Sequence, residues 1–224
     1  ARKSLVGQWH YSPRRVEEIN NGWHSTEAKS AEQALRSGDV EALINTWEND
    51  SYSHYRQEKS VWNLYLLAQL PREMALTFWL RINEKKHLFA GEDYFLSILG
   101  LDTLPGLLLA FSHHPKETFP LILNFGATEL ALPVARVWRR FTAQRDLARQ
   151  WILQWPEHTA TALIPLVFTK PSDNSEAALL ALRLLYEQGH GELLQTVANR
   201  WQRTDVWPAL EQLLKLGPIE IYPA

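Results

Sequence analysis

The sequence contains no cysteine among its 224 residues. Disulfides, thiolate zinc sites, iron–sulfur clusters and cysteine nucleophiles are therefore excluded for this chain. The absence of cysteine is compatible with a reducing compartment.

Long apolar runs and an excess of one charge are also missing. The longest unbroken apolar stretch, 104–111, has eight residues, whereas a membrane-spanning helix needs about 20. No apolar segment follows the first charged residues, so we expect no retained secretory signal. Lys and Arg total 23 against 25 Asp and Glu, a balance that gives the whole chain no attraction to nucleic acid or anionic lipid. We expect no membrane association.

The recognisable signatures of enzymes are absent. The sequence has no phosphate-binding loop, no dinucleotide-binding glycine turn, no zinc-protease helix and no nucleophile elbow. Its histidines are scattered except for His113 and His114, whose side chains would point about 100° apart on a helix and would not readily chelate one ion. We therefore predict a chain that is not an enzyme, with no catalytic residues, no cofactor and no metal.

Helix signals follow one another from residue 25 onward. Asp39 precedes an apolar segment as a cap, and Gly38 separates this segment from the one before it. No segment reads as a convincing strand, so the sequence predicts an all-α protein. The predicted helices are 26–36, 39–48, 54–69, 72–82, 91–99, 103–113, 116–124, 128–141, 144–154, 157–168, 174–188, 191–202 and 205–215.

The helices differ in how much of their surface is apolar. Residues 176–186 are apolar nearly all round, which predicts that neighbours cover several faces of this helix. Helix 128–141 has a single stripe, formed by Val134, Val137, Trp138 and Phe141. The connections between the predicted helices are short, and an apolar residue followed by proline recurs at irregular intervals. Both features favour HEAT-like or armadillo-like stacked antiparallel helix pairs, which form an α-solenoid with irregular repeats. An irregular helical domain with many prolines is the alternative.

The first residues differ from the rest. Residues 1–24 are rich in turn signals and lack helical periodicity, so we interpret them as an N-terminal strap or the end of a preceding region. Residues 25–224 are predicted to form one helical-repeat domain, since no long linker divides them. The chain begins with Ala rather than Met, and we expect a fragment of a larger protein.

Tryptophan is unusually frequent, with 10 residues. Such aromatic side chains could form a groove for peptides or bases. The alternative is that they fill the core, because Trp138 lies in an apolar stripe and Trp151 and Trp155 are one helical turn apart. We expect most of them to be core residues.

The clearest local departure from neutrality lies within residues 131–150. Five arginines are opposed there only by Asp146, a local balance of +4; they are Arg136, Arg139, Arg140, Arg145 and Arg149. The first three fall opposite the apolar stripe, so they are predicted to share one exposed face. Such a face could bind phosphate or an acidic partner. It could also be a solvated face whose last-turn arginines complement the helix dipole.

Several stretches resemble the interior of large bacterial MolR-like proteins. They are residues 132–136 (LPVAR), 148–160 (ARQWILQWPEHTA), 162–166 (ALIPL), 181–190 (ALRLLYEQGH) and 213–223 (LLKLGPIEIYP). The family is named after a molybdate metabolism regulator, and its members often carry an N-terminal WGR domain. The resemblance implies an interior helical-repeat segment of a larger bacterial cytoplasmic protein, and it transfers no catalytic residue to this chain.

Two functional hypotheses follow. The first is a non-catalytic scaffold segment that binds another protein or other domains of its own chain. The second is a nucleic-acid-binding helical repeat that uses the surface from Arg136 to Arg149.

Overall fold

A computed structural model describes residues 4–5, 33, 37–49, 70–84, 92–203 and 205–216. Over these residues the protein is almost entirely helical, which confirms the all-α prediction. The helices are α1 (Val40–Asn49), α2 (Arg72–Glu84), α3 (Glu92–Leu99), α4 (Leu104–His113), α5 (Pro115–Ile122), α6 (Thr128–Arg140), α7 (Arg145–Gln154), α8 (Pro156–Val167), α9 (Asp173–Glu187), α10 (Gly191–Asn199) and α11 (Val206–Lys215), with 3-10 turns at Gly100–Thr103 and Thr142–Gln144.

A side-chain cap marks the start of α1, as the sequence predicts. Asp39 caps α1, because its Oδ1 accepts a hydrogen bond from the backbone N–H of Ala42 at 2.9 Å. The predicted helices 26–36 and 54–69 lie outside the described residues apart from Gln33, and so does the predicted domain boundary at residue 24.

The chain divides into two compact units. One, here the N-terminal unit, comprises Gly7–His114, and the other, the C-terminal unit, comprises Ala1–Val6 with Pro115–Ala224.

The N-terminal unit is organised around Trp79 on α2. The Trp79 indole is buried, donates a hydrogen bond to the carbonyl of Thr103 at 2.9 Å, and lies 5.1 Å from the Phe95 ring, centroid to centroid. Gly106 on α4 lies so close that an added Cβ would come within 2.3 Å of the indole nitrogen. The absence of a side chain at this glycine therefore lets α4 approach α2.

One described segment of this unit, Glu92–His113, is long and apolar enough to cross a membrane by length and composition. It consists of α3, a 3-10 turn and α4, and half of it is buried. Core helices of soluble proteins meet the same criterion, so this segment alone is weak evidence for a membrane span. The expected lack of membrane association stays a prediction.

The C-terminal unit is centred on α9. This helix packs against α6, α8, α10 and α11 and also contacts α7. Buried residues occur around much of its circumference; they include Ala177, Ala178, Ala181, Leu182, Leu184 and Leu185. The prediction that several neighbours enclose this helix is confirmed.

The C-terminal unit also contains a short β-pairing that the sequence analysis missed. Strands β1 (Ser4–Leu5) and β2 (Phe125–Gly126) are antiparallel. Two indoles from the end of α7 hold the segment around β2: Trp151 donates to the carbonyl of Phe125 at 2.9 Å, and Trp155 donates to that of Leu123 at 3.2 Å. A two-residue strand is too short to leave an alternating pattern in the sequence.

The predicted stripe of α6 needs a correction at its end. Val134 and Val137 are buried, but Phe141 is 46% exposed because α6 ends at Arg140 and the backbone of Phe141 is extended (φ −111°, ψ 102°). A residue outside the helix no longer follows its 100° phase. The buried face is completed instead by Leu130, Ala131 and Ala135.

The recurring proline does not mark one position in the helices. Pro105 and Pro208 lie in or near a first turn, Pro133 lies inside α6, and Pro120 and Pro165 lie near the ends of α5 and α8. Proline is therefore not diagnostic of a repeat here.

Most tryptophans with described side chains are buried or half-buried, as expected. Trp79 and Trp151 are fully buried, and Trp138, Trp155 and Trp207 are half-buried. Trp201 departs from the expectation, since it follows α10 and is 39% exposed.

Candidate partner-binding surface

The five arginines of the predicted basic surface lie on two consecutive helices. Three are on α6 and two are on α7. All are exposed except Arg139, whose side chain is 26% exposed. The prediction of one shared exposed face is therefore wrong for Arg139, because the first turn of α9 covers it.

The first turn of α9 carries the carboxylates that neutralise two arginines. Arg139 donates from Nη1 to Oδ1 of Asp173 at 2.9 Å and forms an ion pair with Glu176. Arg140 forms an ion pair with Asp173 as well. Charge-assisted hydrogen bonds of this kind are stronger than neutral ones, so these contacts join the end of α6 to the start of α9.

A capping box sets the position of those carboxylates. Ser172 accepts a hydrogen bond from the N–H of Ser175 at 3.3 Å, and the Ser175 hydroxyl accepts one from the N–H of Ser172 at 2.8 Å. These bonds start α9 at Asp173. Carboxylates in a first helical turn also interact favourably with the helix dipole.

The other three arginines are hydrogen-bonded to neutral acceptors. Arg136 Nε donates to Oδ1 of Asn174 at 2.9 Å, and Arg149 Nη2 donates to Oε1 of Gln188 at 3.2 Å. Arg145 Nε donates to the carbonyl of Trp138 at 3.3 Å, and its guanidinium lies 6.0 Å from the centroid of that indole. These contacts orient the guanidinium groups and leave their positive charge uncompensated by the acceptor.

The acceptors divide the basic surface. Asn174 lies at the start of α9 and Gln188 just beyond its end. The 15 residues of α9 span roughly 22 Å at 1.5 Å per residue. Arg136 and Arg149 are therefore held at opposite ends of α9, and the arginines do not form one compact cluster.

The residues that hold the arginines are not among those predicted from the sequence. With Asp173 and Glu176 added to Asp146, the local balance falls from +4 to +2. The acidic first turn of α9 was visible in the sequence, but the contact with Arg139 joins positions 37 apart. Only the tertiary arrangement brings them together.

The surface combines charged groups with an exposed aromatic side chain. In the part of the chain that the structure describes, no group of three or more His, Asp or Glu side chains is placed to hold a metal ion. His113 and His114 are half-buried at the end of α4, with ring centroids 6.5 Å apart. Phe141, in the connection between α6 and α7, is exposed.

The chain is 89% identical, over all 224 of its residues, to the Escherichia coli (strain K12) protein named "Uncharacterized protein YehI". It spans 18% of the length of that relative. No family model and no solved structure matches the chain.

Proposed function

We propose that the chain is a non-catalytic scaffold segment that binds another protein through the arginine-bearing surface of α6 and α7. We further propose that it is an interior helical-repeat segment of a larger cytoplasmic MolR-like protein. The observation that carries the binding proposal is that Arg136, Arg145 and Arg149 are oriented by neutral acceptors and keep their charge available.

The contacts within the C-terminal unit support an irregular stack of helix pairs. From α6 to α11, each helix contacts the next helix and also the next but one. Layered helix pairs produce these contacts, because each helix packs against its partner in the pair and against its equivalent in the next layer. The packing of α6 on α9, the third helix after it, is an additional contact that regular layering does not supply.

The stack we propose is irregular. Glu157 in the first turn of α8 pairs with Arg200, just beyond α10, at 2.7 Å. In a regular array α8 and α10 would run in the same direction, with like ends together. The opposite pairing favours a crossing of these two helices and accounts for the lack of a fixed sequence period.

Nucleic acid is less well supported as the partner. Two of the five arginines are neutralised by Asp173 and Glu176, which leaves fewer cations for contact with a phosphate backbone. The net charge of the chain is −2, which provides no long-range attraction for polyanions.

Affinity capture with the full-length protein tests the proposal. We would compare it with a form lacking this segment and with a form carrying Arg136→Gln and Arg149→Gln. A protein lost on deletion and depleted by the double substitution supports the proposal. The matched control is Arg200→Gln, which removes an exposed arginine elsewhere and should retain the partner. If deletion removes no protein, the scaffold proposal is wrong.

A further inference from the structure

We propose that Phe141, together with Arg136, Arg145 and Arg149, docks an acidic segment of a separate protein that inserts an apolar side chain against the Phe141 ring. This inference rests on the proposed scaffold function and specifies the chemistry of its partner.

The exposure of Phe141 is the first observation. Its ring is 46% exposed although a continued α6 would have placed it on the buried stripe. The backbone is held in this conformation at both sides: Phe141 N–H donates to the carbonyl of Val137 at 2.9 Å, and Gln144 N–H donates to the carbonyl of Phe141 at 3.3 Å. The apolar ring is thus presented by an ordered helix-to-turn junction.

The flanking arginines are the second observation. Arg145 begins α7 directly after the turn that follows Phe141 and lies over the half-buried Trp138 ring. Aromatic residues and arginine are both enriched in protein interfaces relative to the rest of the surface. An exposed phenylalanine alone would be unremarkable; with Arg145 four residues further along the chain and oriented by Trp138, it points to a docking surface.

The spacing of the uncompensated arginines favours a ligand with carboxylates over one with phosphates. Of the three uncompensated cations, Arg136 and Arg149 are held at opposite ends of α9, which is roughly 22 Å long. Duplex DNA carries one charge per about 1.7 Å of its axis, so these cations would neutralise only a small part of such a ligand. The guanidinium fork matches a carboxylate bidentately, and glutamates spaced along an extended chain can meet separate arginines. The fixed carboxylates of Asp173 and Glu176 would disfavour a continuous polyanion.

The probe for the test is a fluorescein-labelled peptide of alternating glutamate and leucine, measured by fluorescence anisotropy with the whole 224-residue chain. The matched probe replaces every glutamate by glutamine, and a poly-dT oligonucleotide represents nucleic acid. We expect the acidic peptide to bind and the other two to bind at least about tenfold more weakly.

The variants locate the site. Phe141→Ser should weaken peptide binding about fivefold or more, and Arg136→Gln with Arg149→Gln should weaken it about tenfold. Trp201→Ser and Arg200→Gln remove an exposed aromatic residue and an exposed arginine beyond α10 and should leave binding unchanged. Circular dichroism of each variant shows whether its helices are intact, and any variant that loses helicity is replaced by Phe141→Gln or Arg149→Met.

Four results would overturn the inference. Three concern the probes: the acidic peptide does not bind, the glutamine peptide binds as tightly as the acidic one, or poly-dT binds more tightly than the acidic peptide. The fourth is self-association of the chain that Phe141→Ser abolishes. The last would identify a second copy as the occupant. These results are distinguishable from failure of the scaffold proposal. If deletion of the segment still removes a captured protein but the acidic peptide does not bind, only the partner chemistry is wrong.

Discussion

Arg149 on α7 is bound to Gln188 at one end of α9, at 3.2 Å, whereas Arg136 on α6 is bound to Asn174 at the other end, at 2.9 Å. Arginines that are close in sequence are therefore drawn to opposite ends of one central helix. The salt-bridged pair at the start of α9 is structural in character, and the arginines on neutral acceptors remain available to a partner.

Removal of the Arg139 guanidinium should destabilise the C-terminal unit. Arg139→Met leaves Glu176 without its cation and weakens the hold on Asp173, and the side chain it removes is only 26% exposed. We expect a loss of roughly 1–2 kcal/mol, measured as a lower thermal midpoint by circular dichroism. Arg149→Met, at an exposed site with a neutral acceptor, should change the midpoint little. Equal changes of the thermal midpoint in the two variants would contradict the structural role assigned to Arg139.

Gly126→Ala should destabilise the unit because it forces a clash. The added Cβ would lie 2.4 Å from an atom of the Trp155 ring, and that ring is held by its bond to the Leu123 carbonyl. We expect a cost of roughly 1–3 kcal/mol and a changed near-UV circular dichroism signal from the displaced indole.

Gly191→Ala is the matched control for that substitution. Its Cβ would meet Tyr186 at 3.5 Å, an ordinary contact, at the first residue of α10. We expect no loss, or a gain of up to about 1 kcal/mol from reduced freedom of the unfolded chain. A control that destabilises as much as Gly126→Ala would show that close packing on Trp155 is not the cause.

The Glu157–Arg200 pair should make stability depend on acid pH. The hydrogen bond from Arg200 lowers the pKa of the Glu157 carboxyl below its ordinary value, against the opposing effect of burial. The folded state therefore holds the proton less tightly than the unfolded state, and the pair stabilises the fold above the unfolded pKa. That stabilisation is lost as pH falls through the folded pKa.

A carboxyl-detected NMR titration checks the Glu157 prediction. The wild-type pKa should lie below that of an unperturbed glutamate, and Arg200→Met should raise it. Both side chains are nearly half exposed, so the stabilisation should be at most about 1 kcal/mol. An unchanged Glu157 pKa in the variant would contradict this prediction.

Arg183 should be essential to the end of α11. It is 8% exposed, and its Nη2 donates to the carbonyl of Leu213 at 2.9 Å and also to that of Leu216. Arg183→Met leaves these helix-end carbonyls without a cationic donor, and we expect a cost of about 1–3 kcal/mol.

Hydrogen exchange localises the effect of Arg183→Met. Protection should fall first in α11, and Arg183→Lys should restore part of it because the positive charge remains near the helix C-terminus. Uniform loss of protection throughout α6–α11, with no recovery in the lysine variant, would argue against a local capping role.

The helix boundaries could be predicted because their signals are local. Asp39 caps the helix that follows it, and Gly189 ends α9 with φ +88°, a conformation that glycine adopts at little cost. The nearly all-round apolar character of residues 176–186 correctly predicted that several helices cover α9, since its buried positions repeat within the helix itself.

The contacts of the candidate surface could not be predicted in the same way. The partners of Arg136, Arg139 and Arg149 lie 34 to 39 positions away, and helical periodicity contains no information on which distant turn will cover a given face. Phe141 was assigned to the core because α6 was predicted one residue too long. A residue beyond the helix end no longer follows the helical phase, so the buried stripe of α6 does not include Phe141.

Distance measurement between paired spin labels tests the central claim, that the end of α6 meets the start of α9. The chain has no cysteine, so introduced cysteines are labelled specifically, and Thr142, Pro171 and Glu187 are exposed positions. We predict that the distance between the labels is shorter in the Thr142→Cys/Pro171→Cys pair than in the Thr142→Cys/Glu187→Cys pair by more than about 10 Å. The reason is that α9 starts beside the C-terminal end of α6 and extends away from that end over roughly 22 Å. Equal distances, or the reverse order, would contradict the arrangement on which the arginine surface depends.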